Sequence, residues 1–168
     1  MSFNRECDHC GAPHGKPRLR DSTLDYSVSH TDHWLIMAVA GSGLLGADIE
    51  SPASITNPDG LATTILTATE AQIYAQLPTT DRTAWLLWAW TRKEAAMKLT
   101  GLGLQAPPRQ VDVSGPVVRA DEVPRWPDRP IHLLGLTVPD VPDVPDLHVA
   151  ALASTVPVAT LRRFALPE

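Results

Sequence analysis

The sequence predicts an α+β fold, an antiparallel sheet packed against helices, and three observations carry that reading. Short apolar runs at 24–28, 33–40 and 44–50 have the composition of strands. Helix signals follow at 67–77 and 80–100. Three further apolar runs, at 131–138, 147–155 and 158–166, read as closing strands.

Residues 1–22 are rich in Gly, Pro and charge and read as loop. Gly41-Ser42-Gly43 makes a turn between the second and third strands, so the first three strands form an expected antiparallel meander. Pro, Asn, Asp and Gly over 51–64 read as loop. Thr67-Ala68-Thr69-Glu70 is a capping-box pattern that starts a helix, and Pro78 stops it. The next helix carries an apolar stripe of Ala84, Leu87, Trp88, Ala95 and Leu99, with Gly101 suited to its C′ position. Residues 105–130 are Pro-rich and irregular. Val138-Pro139-Asp140 repeats three times up to Asp146; proline at every third place prevents a sheet ladder and favours an extended, solvated connector.

At 168 residues the chain fits one domain with a real core, and 43% hydrophobic with 20% charged residues is the composition of a globular protein. A net charge of −5 argues against a general nucleic-acid binder. No run approaches the roughly 20 apolar residues of a membrane span. The polar N-terminus has no signal-peptide core, so the expected location is cytoplasmic. The N-terminal stretch is mildly basic, with Arg5, Lys16, Arg18 and Arg20 against Glu6 and Asp8. Two cysteines make no disulfide scaffold. Cys7 and Cys10, with His9 or His14, offer three or four soft ligands in one short loop, whereas zinc sites usually draw a second ligand pair from elsewhere. The pair reads as a turn leading into Gly15, with a zinc-stabilised interaction module as the alternative.

Two segments carry chemistry. In Gly46-Ala47-Asp48-Ile49-Glu50, residues i and i+2 of a strand share a face, so Asp48 and Glu50 point at one spot. In Trp90-Thr91-Arg92-Lys93-Glu94-Ala95-Ala96-Met97-Lys98, helical spacing puts Trp90, Glu94 and Lys98 on one stripe. Carboxylates for a hard cation and an ammonium for phosphate oxygens are what a metal–diphosphate site needs.

The same segments resemble the signature of the Sfp-type 4'-phosphopantetheinyl transferases, Gly-x-Asp-x-Glu followed by Trp-x-x-Lys-Glu-x-x-x-Lys. Gly15-Lys16-Pro17 is similar to that family's Gly-Lys-Pro element, and Ser27-Val28-Ser29-His30-Thr31 to its Ser-His-Ser element. Gly101-Leu102-Gly103-Leu104 resembles the turn after its catalytic helix. The resemblance implies transfer of 4'-phosphopantetheine from coenzyme A to a serine of an acyl or peptidyl carrier protein, with release of adenosine 3',5'-bisphosphate. It implies Mg²⁺ on Asp48, Glu50 and Glu94, with Glu94 also as proton acceptor and Lys98 on the diphosphate. It assigns Gly15, Lys16, Pro17, Ser29 and His30 to coenzyme A, with Lys93 in reach of phosphate and Trp90 packing the helix. It divides the chain into an N-terminal loop, 1–22, and a catalytic domain, 23–168, and suggests a role in secondary metabolism.

Family members have two pseudo-symmetric halves, and only fourteen residues precede Gly15 here. The resemblance therefore implies one half plus the tail of the other, with exposed edges that favour a homo-oligomer. The alternative is a non-catalytic remnant that binds coenzyme A or a partner protein.

Overall fold

The computed structural model describes residues 3–6, 11–13, 15–19, 21–139 and 148–165. Cys7, Cys10 and the triplet repeat from 140 onward lie outside the described residues. The fold is α+β, with antiparallel sheets and three α-helices.

Two short strands, β1 (Phe3–Asn4) and β2 (Arg18–Leu19), pair within the segment expected to be loop. Strands β3 (Asp25–His30) and β4 (Leu35–Ala40) form a hairpin in register from Asp25↔Ala40 to His30↔Leu35. Strand β5 (Leu45–Glu50) does not pair with β4, contrary to the expected meander. It pairs with β7 (Val149–Ser154), which also pairs with β6 (His132–Leu136), so the sheet order is β5-β7-β6.

The residues of β3 explain the break. Their side chains, in place of a backbone ladder, meet the free edge of β5. The Asp25 carboxylate accepts from the Leu45 N–H at 2.7 Å, the Ser27 hydroxyl from Ala47 at 3.0 Å and the Ser29 hydroxyl from Ile49 at 3.3 Å. Three successive inward residues of one strand thus satisfy three edge amides of the other.

The run 51–64 is not all loop. Helix α1 (Pro58–Ile65) starts at Asn57, whose side chain accepts from the Gly60 N–H at 3.0 Å. Proline at N1 and Asp59 in the first turn are helix-start signals as much as breakers. Helix α2 (Ala68–Gln76) has the expected capping box between Thr67 and Glu70. Helix α3 (Thr79–Thr100) ends at Gly101, which has φ +74°. The expected closing strand at 158–166 does not form: residues 156–165 are exposed and in no strand. Its large apolar residues, Val158, Leu161 and Phe164, stand three apart and do not alternate, so they offer no single face for a strand to bury.

Helix α3 lies on one face of the sheet. Its Leu86, Ala89, Ala95, Ala96, Met97 and Leu99 form one core with Ala151 and Ala153 of β7 and with Val111, Val113 and Ile131. On the other face Leu45, Ala47 and Leu152 pack against Ile36, Ala38 and Ala40 of the hairpin. The three-stranded sheet is therefore sandwiched between helix and hairpin. Among the described residues no helix is long and apolar enough to cross a membrane.

Candidate functional site

The site forms where β5 touches α3, and Gly46 permits that touch. A Cβ on Gly46 would lie 2.0 Å from the Ala95 carbonyl oxygen and 2.4 Å from the Leu99 nitrogen, so only glycine allows the backbones to approach. Two and four residues on, Asp48 and Glu50 share the face of Gly46. They therefore meet the stripe of α3 that carries Trp90, Glu94 and Lys98, which is half-buried while its neighbours Arg92 and Lys93 are buried.

Asp48 is 2% exposed. Its Oδ1 accepts from Lys98 Nζ at 2.7 Å and from the Ser29 hydroxyl at 2.8 Å. Lys98 Nζ also donates to Ser29 Oγ at 2.9 Å. Asp48 Oδ2 is buried without a hydrogen-bond partner. Glu50 accepts from the indole N–H of Trp90 at 3.2 Å, so Trp90 orients a carboxylate as well as packing its helix.

The three carboxyl groups are all held above their ordinary range. For Asp48 burial is the main cause, opposed by Lys98, Ser29 and the Ile49 N–H. For Glu50 burial acts first and the Asp48 charge adds to it. Glu94 is pushed up to about 7, by burial first and then by the Asp48 charge, with Lys98 opposing and Glu50 adding. Mutual repulsion in a dry place disfavours three negative charges together. At neutral pH Glu94 is poised to give or take a proton.

These groups fit a hard divalent cation by chemistry. They are oxygen donors only, they repel one another, and one buried carboxylate oxygen lacks a partner. Among the described residues no three acidic, imidazole or thiol groups are already gathered as a cation cage. The ammonium of Lys98 is the positive charge that Asp48 holds in this arrangement.

Of the residues assigned to coenzyme A, two lysines are paired in the interior. Lys93 does not face the site. Its side chain is 0% exposed and ion-paired at 2.7 Å with Glu70, also 0% exposed. It donates to the Pro108 carbonyl at 3.0 Å and to the Val111 carbonyl. One residue before Glu94 on a helix is a quarter-turn away, and here that turn leads into the core. Lys16 likewise spends its charge internally, on Asp25 at 2.5 Å and on the carbonyls of Leu45 at 2.8 Å and Leu99 at 3.3 Å. A cation on an end carbonyl of α3 suits the helix dipole. Burial lowers the pKa of both lysines, against the pull of their acidic partners. Gly15 is buried, its N–H donating to the Arg5 carbonyl at 2.7 Å, and Pro17 is half-buried. A Cβ on Gly101 would be 3.4 Å from Lys16 Cβ, so the element lies against the end of α3. His30 stands exposed at the end of β3, beside buried Ser29.

Sequence reasoning missed two contacts: the Trp90 bond to Glu50 and the Ser29 bond to Asp48. The i, i+4 spacing of Trp90 to Glu94 was a signal for the first. Nothing local in the sequence signals the second.

The family model of the 4'-phosphopantetheinyl transferase superfamily matches residues 44–133, more than half of the chain. The chain belongs to that superfamily. The matched span contains Asp48, Glu50, Glu94 and Lys98, while Gly15-Lys16-Pro17 and Ser29-His30 lie outside it. No curated protein matches the chain.

Proposed function

We propose that this member of the 4'-phosphopantetheinyl transferase superfamily moves 4'-phosphopantetheine from coenzyme A to a serine of an acyl or peptidyl carrier protein and releases adenosine 3',5'-bisphosphate. The observation that carries the reading is a carboxylate–ammonium centre, buried Asp48 with half-buried Lys98, beside Glu94 with a pKa of about 7. The catalytic domain in this reading is 23–168, preceded by the N-terminal segment 1–22.

Asp48, Glu50 and Glu94 would hold Mg²⁺, which when bound neutralises diphosphate charge that would otherwise repel a nucleophile. Glu94 takes the proton of the carrier serine as its oxygen bonds to the β-phosphorus, and the bond from that phosphorus to the bridging oxygen breaks. Lys98 steadies the charge that gathers on the leaving phosphate. An ammonium has three N–H donors. Asp48 and Ser29 take two of them, and the side chain is 33% exposed, so the third is available to phosphate. Trp90 holds Glu50 in place, and His30 at the exposed rim supplies a second basic group for coenzyme A phosphate.

The test is to incubate the chain with magnesium, coenzyme A and a panel of apo carrier proteins, then weigh the carriers by intact mass spectrometry. The expected result is a gain of one phosphopantetheine group that disappears with EDTA and in Glu94→Ala. No gain on any carrier, with another superfamily transferase active in parallel, rejects the reading.

One observation favours the non-catalytic alternative. Lys16 and Lys93 are both internally paired, so two of the expected phosphate-binding charges are spent. Under that reading the chain binds coenzyme A or a partner without turnover, and the same experiment separates the two.

A further inference from the structure

We propose that Ser29 is a positioning residue for Asp48 and makes no contact with coenzyme A phosphate. The proposal rests on the transferase reading above and assigns to Ser29 a different duty from the one the family resemblance implies.

The argument is a count of hydrogen-bonding capacity. A serine hydroxyl has one proton and two lone pairs. An ionised carboxylate cannot donate, so the 2.8 Å contact with Asp48 Oδ1 uses the hydroxyl proton. An ammonium and an amide cannot accept, so Lys98 Nζ at 2.9 Å and the Ile49 N–H at 3.3 Å use the two lone pairs. Nothing is left for a phosphate oxygen, and Ser29 is only 7% exposed.

The neighbouring rungs sharpen the point. Asp25 and Ser27 stand at the same pitch along β3 and bind the β5 edge amides of Leu45 and Ala47. Ser29 binds the next edge amide and, in addition, both members of the Asp48–Lys98 pair. With Ser29 and Lys98 both on Oδ1, the rotation of the Asp48 carboxylate is set. Oδ2 is then the oxygen without a partner, presented for a cation. Outer groups that orient a carboxylate ligand in this way contribute strongly to metal affinity.

The experiment uses the full chain with Ser29→Ala and Ser29→Thr, titrated at a temperature where circular dichroism shows both variants fully folded. Binding of Mn²⁺ is followed by electron paramagnetic resonance without coenzyme A, and binding of coenzyme A by calorimetry at saturating Mg²⁺. Ser29→Ala should weaken Mn²⁺ binding by about tenfold or more, and Ser29→Thr, which keeps the hydroxyl, should restore it. Coenzyme A affinity should stay within about twofold in both, as expected when no phosphate contact is lost. Unchanged Mn²⁺ affinity in Ser29→Ala, equal losses in both variants, or a loss of coenzyme A affinity alone would overturn the proposal. So would a wild-type chain that takes up no Mn²⁺. A wild-type chain that binds Mn²⁺ but modifies no carrier counts against the transferase reading only, because the titrations still decide the role of Ser29.

Discussion

The carbonyl oxygen of Ala95 occupies the space that a Cβ on Gly46 would need, 2.0 Å from its ideal position. This single contact sets the distance between β5 and α3, and so the distance between Asp48 and the Glu94–Lys98 stripe. Gly46→Ala must push strand from helix. Forced overpacking typically costs about 1–3 kcal/mol, and a clash with the backbone of α3 at both Ala95 and Leu99 belongs at the upper end. We expect a lower urea midpoint and weaker metal uptake together. A variant with wild-type stability and metal affinity would show that the close approach is not needed.

Lys93→Ala should act on stability, not on coenzyme A. Removing it leaves Glu70 charged, buried and without its counter-ion, a loss of about 3–5 kcal/mol. It also releases the carbonyls of Pro108 and Val111. Denaturant unfolding checks this. A stable Lys93→Ala protein with weakened coenzyme A binding would return Lys93 to the site.

Glu94 gives a stability–pH prediction with a definite sign. Its folded pKa, about 7, lies above the ordinary glutamate value of 4.5, so the folded state binds more protons between those values. Stability therefore falls as pH rises from about 4.5 to 7, and the full penalty is present above 7. Glu94→Gln removes the charge and should be more stable than wild type at pH 8, by about 2 kcal/mol after allowing for partial solvent screening. Below pH 4.5 the two should converge. Melting curves across pH, without divalent metal, test this; a difference that grows toward low pH would contradict it.

Trp90→Phe keeps an aromatic ring on the helix and removes the N–H that Glu50 accepts. A hydrogen bond to a charged carboxylate is worth about 1.5–3 kcal/mol. The expected outcome is a modest loss of metal affinity with the fold retained. Metal titration of Trp90→Phe beside Trp90→Ala separates the lost bond from lost packing.

Lys98→Met removes the internal counter-ion of Asp48. The Asp48 carboxyl, already raised by burial, should rise further, because Lys98 is the first of the influences that lower it. Nuclear magnetic resonance titration of the aspartate carboxyl carbons would read the change, and an unmoved Asp48 would show that the ion pair has no electrostatic weight.

Much of the site was legible because it depends on local periodicity. A period of two places Asp48 and Glu50 on one face, and a period near 3.6 places Trp90, Glu94 and Lys98 on one stripe. The capping box of α2 and the glycine end of α3 are equally local. Helix α1 was missed because Asn57-Pro58-Asp59-Gly60 has turn composition, and turn residues also start helices.

What the chain's own order of residues determined, then, is the class of the fold, the faces of β5 and α3, and the presence of an acidic pair opposite a lysine-bearing stripe. The tertiary structure alone decided which lysines are held in buried ion pairs. Lys16 and Lys93 look as suited to phosphate as Lys98 does, but Asp25 and Glu70 claim them in the interior. It also decided that β5 joins β7, about a hundred residues away, instead of the adjacent hairpin. The physical reason is common to both. A side chain's direction follows from backbone geometry within a few residues, whereas its partner is chosen by burial, and a buried charge or edge amide must pair with whatever distant segment the fold brings to it.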